Sequence, residues 1–452
     1  MPHNEVILAA SPSDPERLLA GSMLRYETSN NQCAGYLSID GGRSWKPVLE
    51  PGRSEPRLAD YAADPAVAFG TDGSAYFALL ISDGKGGPSQ SVVLRSTDGG
   101  LTWDEPAHVN PATTTDRPFV AVDRTGGPHD GRIYCYAAVR NPMLGDGGDQ
   151  LGIGIFFSKD RGRTFSEPVL QRVRMESRPK RASVPNRQLG VGNGNCVILS
   201  DGTVVALYSL RFEDSQRPPD YKQLIAVERS IDGGRSFEPY RPSPRPRAPG
   251  ERRIWDRHID EKKLADSQES DNGIPCIAVD PSKGPYRDRT YAAWSIYEGG
   301  MAQVILSVSA DKGQRWSEPV AVSDGADPGP FGDARGAFMP AVAVSKDGVV
   351  GVSWYVIREA AGKDRTWDAR FTSSLDGGKT WLPSVRVSEV SSLKKRDRPD
   401  APEDGRGMSG LGLGDTAGLA ADANGAFHAL WIDNRTGIRQ AWTAAISVGG
   451  EP

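Results

Sequence analysis

Carboxylates and arginines recur at corresponding places along this sequence, and such side chains can bind and cleave polar ligands. They stand where short apolar runs begin, or where the next apolar run ends. The residues at these places are Asp64, Asp271, Asp333, Arg335, Asp415, Glu213, Tyr297, Glu298, Arg358, Asp433 and Arg435. Two carboxyl groups can hydrolyse a glycosidic bond, and an arginine can hold a carboxylate with two hydrogen bonds. We expect these side chains to converge on a polar ligand site, although Asp433-Asn434-Arg435 also fits a turn with a structural ion pair.

Three segments are much longer than a turn requires: residues 170–192, 239–272 and 387–415. Loops of this length are often functional. The first contains five arginines and one lysine but one glutamate, namely Arg172, Arg174, Arg178, Lys180, Arg181, Arg187 and Glu176. This loop either attracts an acidic sugar through bidentate arginine contacts or is a solvated basic loop, and the sequence favours neither interpretation.

The elements that position these residues are indicated by a repeat. The pattern Ser-x-Asp-x-Gly-x-x-aromatic, or a close variant of it, occurs six times, at residues 38–45, 96–103, 158–165, 230–237, 309–316 and 374–381. The Ser and Asp side chains can hydrogen-bond turn amides, the Gly can adopt positive φ, and the aromatic ring can pack between strands. The motif therefore predicts a turn lock. The spacing between successive serines, 58 to 79 residues, suits a four-stranded blade with variable loops.

Strands flank each repeat. An apolar run precedes each motif, and a hairpin of two apolar runs lies further upstream. The hairpins begin near Val6, Ala66, Phe119, Cys196, Ile277, Ala341 and Gly418, and the last unit has no motif. The sequence thus predicts an all-β protein, a single β-propeller domain over residues 1–452. We predict seven four-stranded antiparallel blades, the last lacking its fourth strand, or six if the first and last units share one blade.

The six motifs resemble the Asp-boxes, or BNR repeats, of the sialidase superfamily, and they extend over nearly the whole chain. That family carries its boxes on the face opposite the active site. By this resemblance, Arg117 would bind a carboxylate, Arg140 and Arg211 would be further arginines of the site, and Asp146 or Asp149 would be the general acid. Where the family has a Glu and a Tyr nucleophile, this chain has Asn193 with Asn195 and Gly414-Asp415-Thr416-Ala417.

We therefore predict catalytic and substrate-binding residues but leave three functions open. The catalytic candidates are Asp146, Asp149 and Asp415. The substrate-binding candidates are Arg117, Arg140, Arg211, Asp116, Asn193, Asp271, Arg335, Arg358 and Arg435. The first hypothesis is a sialidase-like glycoside hydrolase acting on an acidic or polar glycan. The second is a polysaccharide lyase, with Tyr297, Tyr355 or His258 as its base, and the third is a propeller that binds glycan or protein without catalysis.

Composition excludes other classes. The chain has 54 Lys and Arg against 58 Asp and Glu, a net charge of −4, which argues against a general nucleic-acid binder. It has no apolar run of membrane-spanning length and no signal-peptide pattern. We expect a soluble protein, either cytoplasmic or exported with its signal removed. Four dispersed cysteines and five dispersed histidines predict free thiols, no metal site and no cofactor, with a structural calcium ion left open.

Overall fold

The computed structural model describes residues 1–25, 31–51, 61–83, 88–140, 151–171, 188–213, 221–238, 253–259, 273–298, 301–324, 334–359, 365–394 and 412–449. The first sheet contains β1 (His3–Ala10), β2 (Leu18–Arg25), β3 (Asn31–Ser38) and β4 (Lys46–Leu49). The second contains β5 (Tyr61–Phe69), β6 (Ala75–Ser82), β7 (Gln90–Ser96) and β8 (Ala107–His108). The third contains β9 (Thr114–Val122), β10 (Ile133–Arg140), β11 (Leu151–Ser158) and β12 (Val169–Gln171). The fourth contains β13 (Gln188–Ile198), β14 (Val204–Glu213), β15 (Tyr221–Ser230) and β16 (Arg253–Ile259).

The next nine strands form one sheet. Its first half contains β17 (Cys276–Val279), β18 (Thr290–Glu298), β19 (Met301–Ser309) and β20 (Val320–Ala321). Its second half contains β21 (Ala334–Val344), β22 (Val350–Glu359), β23 (Arg365–Ser374), β24 (Val385–Arg386) and β25 (Ser392–Lys394). The last sheet has three strands, β26 (Gly418–Ala421), β27 (Phe427–Asp433) and β28 (Gln440–Ile446), in agreement with a final unit that lacks its fourth strand.

This pairing corrects the prediction of seven, or six, separate four-stranded blades. In the described residues, five sheets stand as separate blades, four of them with four strands and one with three. The other nine strands are joined because β21 pairs with β19, Gly336 opposite Ala302. Gly336 has a φ of 132°, and a Cβ there would collide with the backbone of Ala302. A glycine therefore allows the two halves to approach until their backbones pair.

The first strands of successive units surround a central channel. Strands β1, β5, β9, β13, β17, β21 and β26 pack in this order, and β26 packs against β1. The hydrophobic core is divided into layers between neighbouring sheets rather than gathered at one centre. Phe77, Tyr134 and Trp354, for example, are fully or almost fully buried in three different layers. Radially arranged antiparallel sheets of this kind are a β-propeller, as the repeat predicts.

The six repeat turns each connect the third and fourth strands of a unit. The Ser hydroxyl donates to the Asp carboxylate at 2.7–3.0 Å, and the amide of the Gly donates to the Ser hydroxyl at 2.7–2.9 Å. The predicted turn lock is confirmed. Ser38 of the first turn pairs with Leu18, which pairs with Ala10 at the end of β1. The repeat turns thus lie at the face where the innermost strands end.

Candidate functional site

Charged residues stand at the opposite face, near the start of the innermost strands. Bulges interrupt the pairing there, at Glu5 in β1, at Asp64 and Pro65 in β5, and at Arg117 and Pro118 in β9. Proline supplies no N–H to the strand ladder, and a bulge redirects the side chain of the extra residue. The sequence of these strands therefore turns charged side chains out of the regular alternation.

The bulges hold these residues in the left-handed backbone region. The angle φ is 48° at Glu5, 53° at Asp64 and 50° at Arg117, and it is 51° at Met339 in the corresponding bulge of β21. A non-glycine residue in a sparsely populated conformation costs about 1–3 kcal/mol. Such strain persists where the surrounding structure enforces it, and it is common at functional sites.

Two pairs of charged side chains meet at this end of the channel. The guanidinium of Arg117 forms an ion pair with the carboxylate of Asp415, and the Glu5 and Asp64 carboxyl groups are hydrogen-bonded to each other. The loop that carries Asp415 is held by backbone hydrogen bonds of 3.0 Å from Glu5 to Leu413 and from Ile274 to Asp415. The cluster therefore joins residues that are up to 410 positions apart in sequence (415 − 5).

The Glu5–Asp64 pair favours retention of one proton. Burial raises the pKa of Glu5 well above its ordinary value, and the negative charge of Asp64 adds to this increase. Burial also raises the pKa of Asp64, although the charge of Arg117 and the hydrogen bond from Glu5 oppose it. Because this hydrogen bond favours the protonated form of Glu5 and the ionised form of Asp64, Glu5 is the member that donates and Asp64 the one that accepts.

Arg117 is the cation of the cluster. Burial alone would lower the pKa of Arg117, but the charges of Asp415, Asp64 and Glu5 outweigh burial and raise it above the ordinary value. Its side chain is 29% exposed, and that of Asp415 is 26% exposed. Both groups are therefore largely enclosed by protein yet accessible from the channel. Among the described residues, a ligand entering here meets carboxyl groups and the guanidinium of Arg117.

Asn193 supports this arrangement from the neighbouring sheet. Its side-chain amide donates to the carbonyl of Arg117 at 2.7 Å and to that of Tyr136 at 3.3 Å. It thereby fixes the strained backbone that carries the guanidinium. Asp116, the residue before Arg117, is exposed, and its negative charge raises the pKa of Asp64. Asn193 thus contacts the backbone of the cluster and Asp116 acts on it through its charge, while their predicted role in substrate binding stays a prediction.

Three other predicted residues are already engaged elsewhere. Arg358 is 4% exposed and donates to Asp368 at 2.6 Å. Arg435 donates to Asp433 at 2.6 Å and lies over the ring of Trp442, 4.1 Å from its centroid, which agrees with the alternative of a structural ion pair. The lyase candidate Tyr355 accepts a hydrogen bond of 2.7 Å from the backbone of Ile432 in the core.

Several predicted residues are outside what the structure describes. Asp146, Asp149 and Asp271 lie outside the described residues, as does most of the basic loop. The side chains of Arg140, Arg211, Arg335, Tyr297 and His258 are likewise not described, although their backbones lie in strands. Within the described part of the chain, no group of three His, Cys, Asp or Glu side chains is arranged to hold a metal, and no helix has the length and hydropathy of a membrane span.

Glu5 is the member of the cluster that the sequence analysis missed. Asp64, Arg117 and Met339 each precede a proline inside an innermost strand, and this X-Pro pattern is a signal that could identify the bulges. Glu5 precedes Val6 instead, so no motif marks it. Its only signal is a charged residue at the start of an apolar run.

Comparisons with known proteins reveal similarity in three-dimensional structure. No family model and no curated protein matches the sequence. A Hadza microbial sialidase matches over 97% of this chain and 74% of its own length, with a TM-score of 0.50 and 16% identity. An α-L-arabinofuranosidase of Fusarium graminearum, solved with arabinobiose, covers 85% of this chain and 92% of its own (TM-score 0.45, 14% identity). An ulvan lyase covers 99% and 94% (TM-score 0.45, 12% identity). The match to the sialidase shows that the fold is a sialidase-like β-propeller.

Proposed function

We propose that this chain is a glycoside hydrolase that binds its glycan at the channel mouth lined by Glu5, Asp64, Arg117 and Asp415. One observation carries the proposal: three charged residues of successive innermost strands adopt positive φ, and their side chains meet in one cluster. Because Met339 adopts the same φ in the bulge of β21, the support comes from the charge of the three residues and from their meeting in one cluster, not from the strain alone. The similarity to a sialidase supports the fold on which such a site would be built.

The chemistry requires a proton donor and a second carboxylate. Glu5, which burial favours in the protonated form, would donate its proton to the glycosidic oxygen as the bond from that oxygen to the anomeric carbon breaks. Asp415 would either accept a proton from a water molecule as that water attacks the anomeric carbon, or attack this carbon itself and form a glycosyl ester, which water then hydrolyses to free the sugar and the carboxylate. Asp64 would hold Glu5 in place and accept a hydrogen bond from it in the resting state. Asp146 and Asp149 remain alternative general acids.

Arg117 governs which sugars can be bound. Its guanidinium is already paired with Asp415, so the carboxylate of an acidic sugar would bind Arg117 by displacing Asp415. A neutral sugar could instead bind beside the intact pair. The proposal is therefore that the substrate is a glycan, and that it is acidic is a more specific proposal. The test accordingly includes acidic and neutral substrates.

The test measures hydrolysis of 4-nitrophenyl glycosides by the wild-type chain and five variants. The substrates are a neuraminide, a glucuronide and an arabinofuranoside, and the variants are Glu5→Gln, Asp64→Asn, Asp415→Asn, Asp146→Asn and Asp149→Asn. We expect kcat to fall about a hundredfold or more in Glu5→Gln and Asp415→Asn. Loss of a general acid should matter less when the leaving group is activated, so Glu5→Gln should retain more activity on a 2,4-dinitrophenyl glycoside.

Asp98→Asn is the matched control, because it makes the same kind of substitution in a repeat turn at the other face. Its kcat should stay within about twofold of wild type. Unchanged rates in Glu5→Gln and Asp415→Asn would refute the site, and a loss confined to Asp146→Asn or Asp149→Asn would move the general acid to that residue. Formation of an unsaturated uronate from a 4-linked polyuronate, without hydrolysis of the aryl glycosides, would identify a lyase instead.

A further inference from the structure

The channel has a second mouth, at the face of the repeat turns, where the innermost strands end. A cavity of about 540 Å³ opens there, a size within the range of small-molecule sites. Residues 8–10 of β1, 67–69 of β5 and 343–344 of β21 line one side of the cavity and are all apolar. The cluster of Glu5 and Arg117 belongs to the other end of these strands, so this cavity is separate from it.

The other side of the cavity carries cations in addition to apolar residues of β9, β13 and β17. Arg124 follows β9, and Lys283 and Arg287 follow β17, and all three side chains line the cavity and are exposed. Within the described residues, none of the three has an ion-pair partner. Among the described residues, no carboxylate therefore stands within ion-pair distance of these three cations.

Arg124 combines solvent exposure with close surrounding protein. Burial lowers the pKa of Arg124, and no neighbouring charge of the described chain offsets this effect, yet the side chain is exposed to solvent. Both observations hold if the guanidinium projects into the water-accessible channel while protein surrounds it. An arginine placed in this way binds an anion more strongly than one on an open surface, because the surrounding low dielectric strengthens the interaction.

Two aspartates, Asp288 and Asp280, also line this mouth, and they accept different numbers of hydrogen bonds. Asp288 accepts hydrogen bonds from the Ser200 amide at 2.7 Å and from the Ser200 hydroxyl at 2.5 Å. Asp280 accepts one from the Ser282 amide at 2.7 Å. If each aspartate carries a full negative charge, the three cations leave a net charge of +1 on the cavity lining (three minus two).

We propose that this mouth binds a small organic anion, with a carboxylate, sulfate or phosphate group against Arg124 and Arg287 and an apolar body against the opposite wall. The apolar wall accounts for the organic part, and the unpaired cations account for the charge. The proposal is independent of the hydrolytic function, because it uses neither the residues nor the face of the catalytic candidate site.

The test measures binding of phenyl phosphate by isothermal titration calorimetry, with inorganic phosphate and benzyl alcohol as partial ligands. We expect saturable binding of phenyl phosphate that is tighter than that of either partial ligand and weakens as salt is added. Arg124→Gln should raise Kd about tenfold, since a charge-assisted hydrogen bond is lost. Arg287→Gln should raise Kd severalfold.

Arg163→Gln is the matched control, because Arg163 is an exposed arginine of a repeat turn on the same face and does not line the cavity. Its Kd should equal that of wild type. Absence of saturable binding, or an unchanged Kd in both Arg124→Gln and Arg287→Gln, would overturn the proposal. Equal affinity for phenyl phosphate and inorganic phosphate would also overturn it, because the apolar wall would then contribute nothing.

Discussion

The pKa of Asp98 at one face of the propeller is lowered, whereas the pKa values of Glu5 and Asp64 at the other face are raised. In the repeat turn of Asp98, burial alone would raise the pKa of the aspartate, but hydrogen bonds from Thr102, Ser96 and backbone amides lower it to about 2. At the other face, burial raises the pKa of Glu5 and of Asp64. The difference lies in the hydrogen-bond donors: the turn surrounds its carboxylate with donors, whereas the channel mouth, in its described part, brings carboxyl groups together around Arg117.

This contrast distinguishes the carboxylates of the repeat turns from those of the proposed site without reference to their residue type. The repeat-turn geometry recurs six times, and the aspartate is satisfied each time by its own turn. The channel cluster occurs once, joins distant parts of the chain, and stands on strained backbone. Charged groups that lower the stability of the fold and have no hydrogen-bond donors in their own turn are available to a ligand. Stability measurements can test this distinction.

The largest effect on stability is expected from Arg117→Met. The substitution removes the cation that faces this cluster, and it leaves the negative charges of Asp415 and Asp64 in a largely enclosed site. We expect the free energy of unfolding at pH 7 to fall by about 2–3 kcal/mol, somewhat less than for a fully buried pair. Urea unfolding measures it.

Two checks accompany this prediction. The loss of unfolding free energy should shrink as the pH is lowered, because protonation of the carboxylates removes their repulsion. Adding Asp415→Asn to Arg117→Met should recover part of the lost stability. A loss of the same size at pH 4 and at pH 7 would show that Arg117 contributes by packing and not by charge.

A smaller effect of opposite sign is expected from Glu5→Gln. The folded protein raises the pKa of Glu5 above the ordinary value of 4.5, so above pH 4.5 the unfolded chain releases a proton that the folded protein retains. The wild type therefore loses stability as the pH rises toward the folded pKa, by at most about 1.4 kcal/mol per pH unit. Glutamine can still donate to Asp64 and has no proton to release.

Glu5→Gln should consequently be more stable than wild type at pH 7, by about 1 kcal/mol or more, and equal to it near pH 4. Thermal or urea unfolding across this pH range measures the difference. A variant that gains stability while it loses activity is the expected result at a functional site. Lower stability of Glu5→Gln at every pH would assign Glu5 a structural role.

The sequence predicts the repeated parts of this molecule better than the unique ones. The turn of Asp98 lies within eight residues, so its hydrogen bonds follow from local spacing. The propeller, its hairpins and the incomplete last sheet follow from the repeat in the same way. The nine-stranded sheet could not be predicted, because it depends on how closely Gly336 approaches Ala302 after folding.

The candidate site was predicted in part. Asp64 and Asp415 were proposed from their place at the start of innermost strands, and Arg117 was proposed from the resemblance to the sialidase superfamily. Glu5 was missed, because its importance arises only when the ring closes and β1 is placed beside both β5 and β26. The ion pair between Arg117 and Asp415 is likewise a property of the folded ring, so the sequence does not reveal that Arg117 is already paired.

The smallest effect is expected from Asp98→Asn in a repeat turn. The hydroxyl of Thr102 donates to one carboxylate oxygen at 2.5 Å, and the amide of Thr102 donates to the other at 2.9 Å; asparagine can replace only part of this arrangement. Because the turn is exposed, solvent screens the carboxylate, and we expect a loss of no more than about 1 kcal/mol. The pKa of Asp98 is lowered from 3.8 to about 2, so the aspartate stabilises the fold above pH 4 and this stabilisation disappears as the pH falls to 2. Asp98→Asn should therefore have a lower free energy of unfolding than wild type, and this deficit, measured by urea unfolding, should shrink between pH 4 and pH 2. Glu5→Gln, in contrast, should have a higher free energy of unfolding than wild type at pH 7. A difference that widens toward pH 2 would mean that the two faces do not differ in the way their carboxylates bind protons.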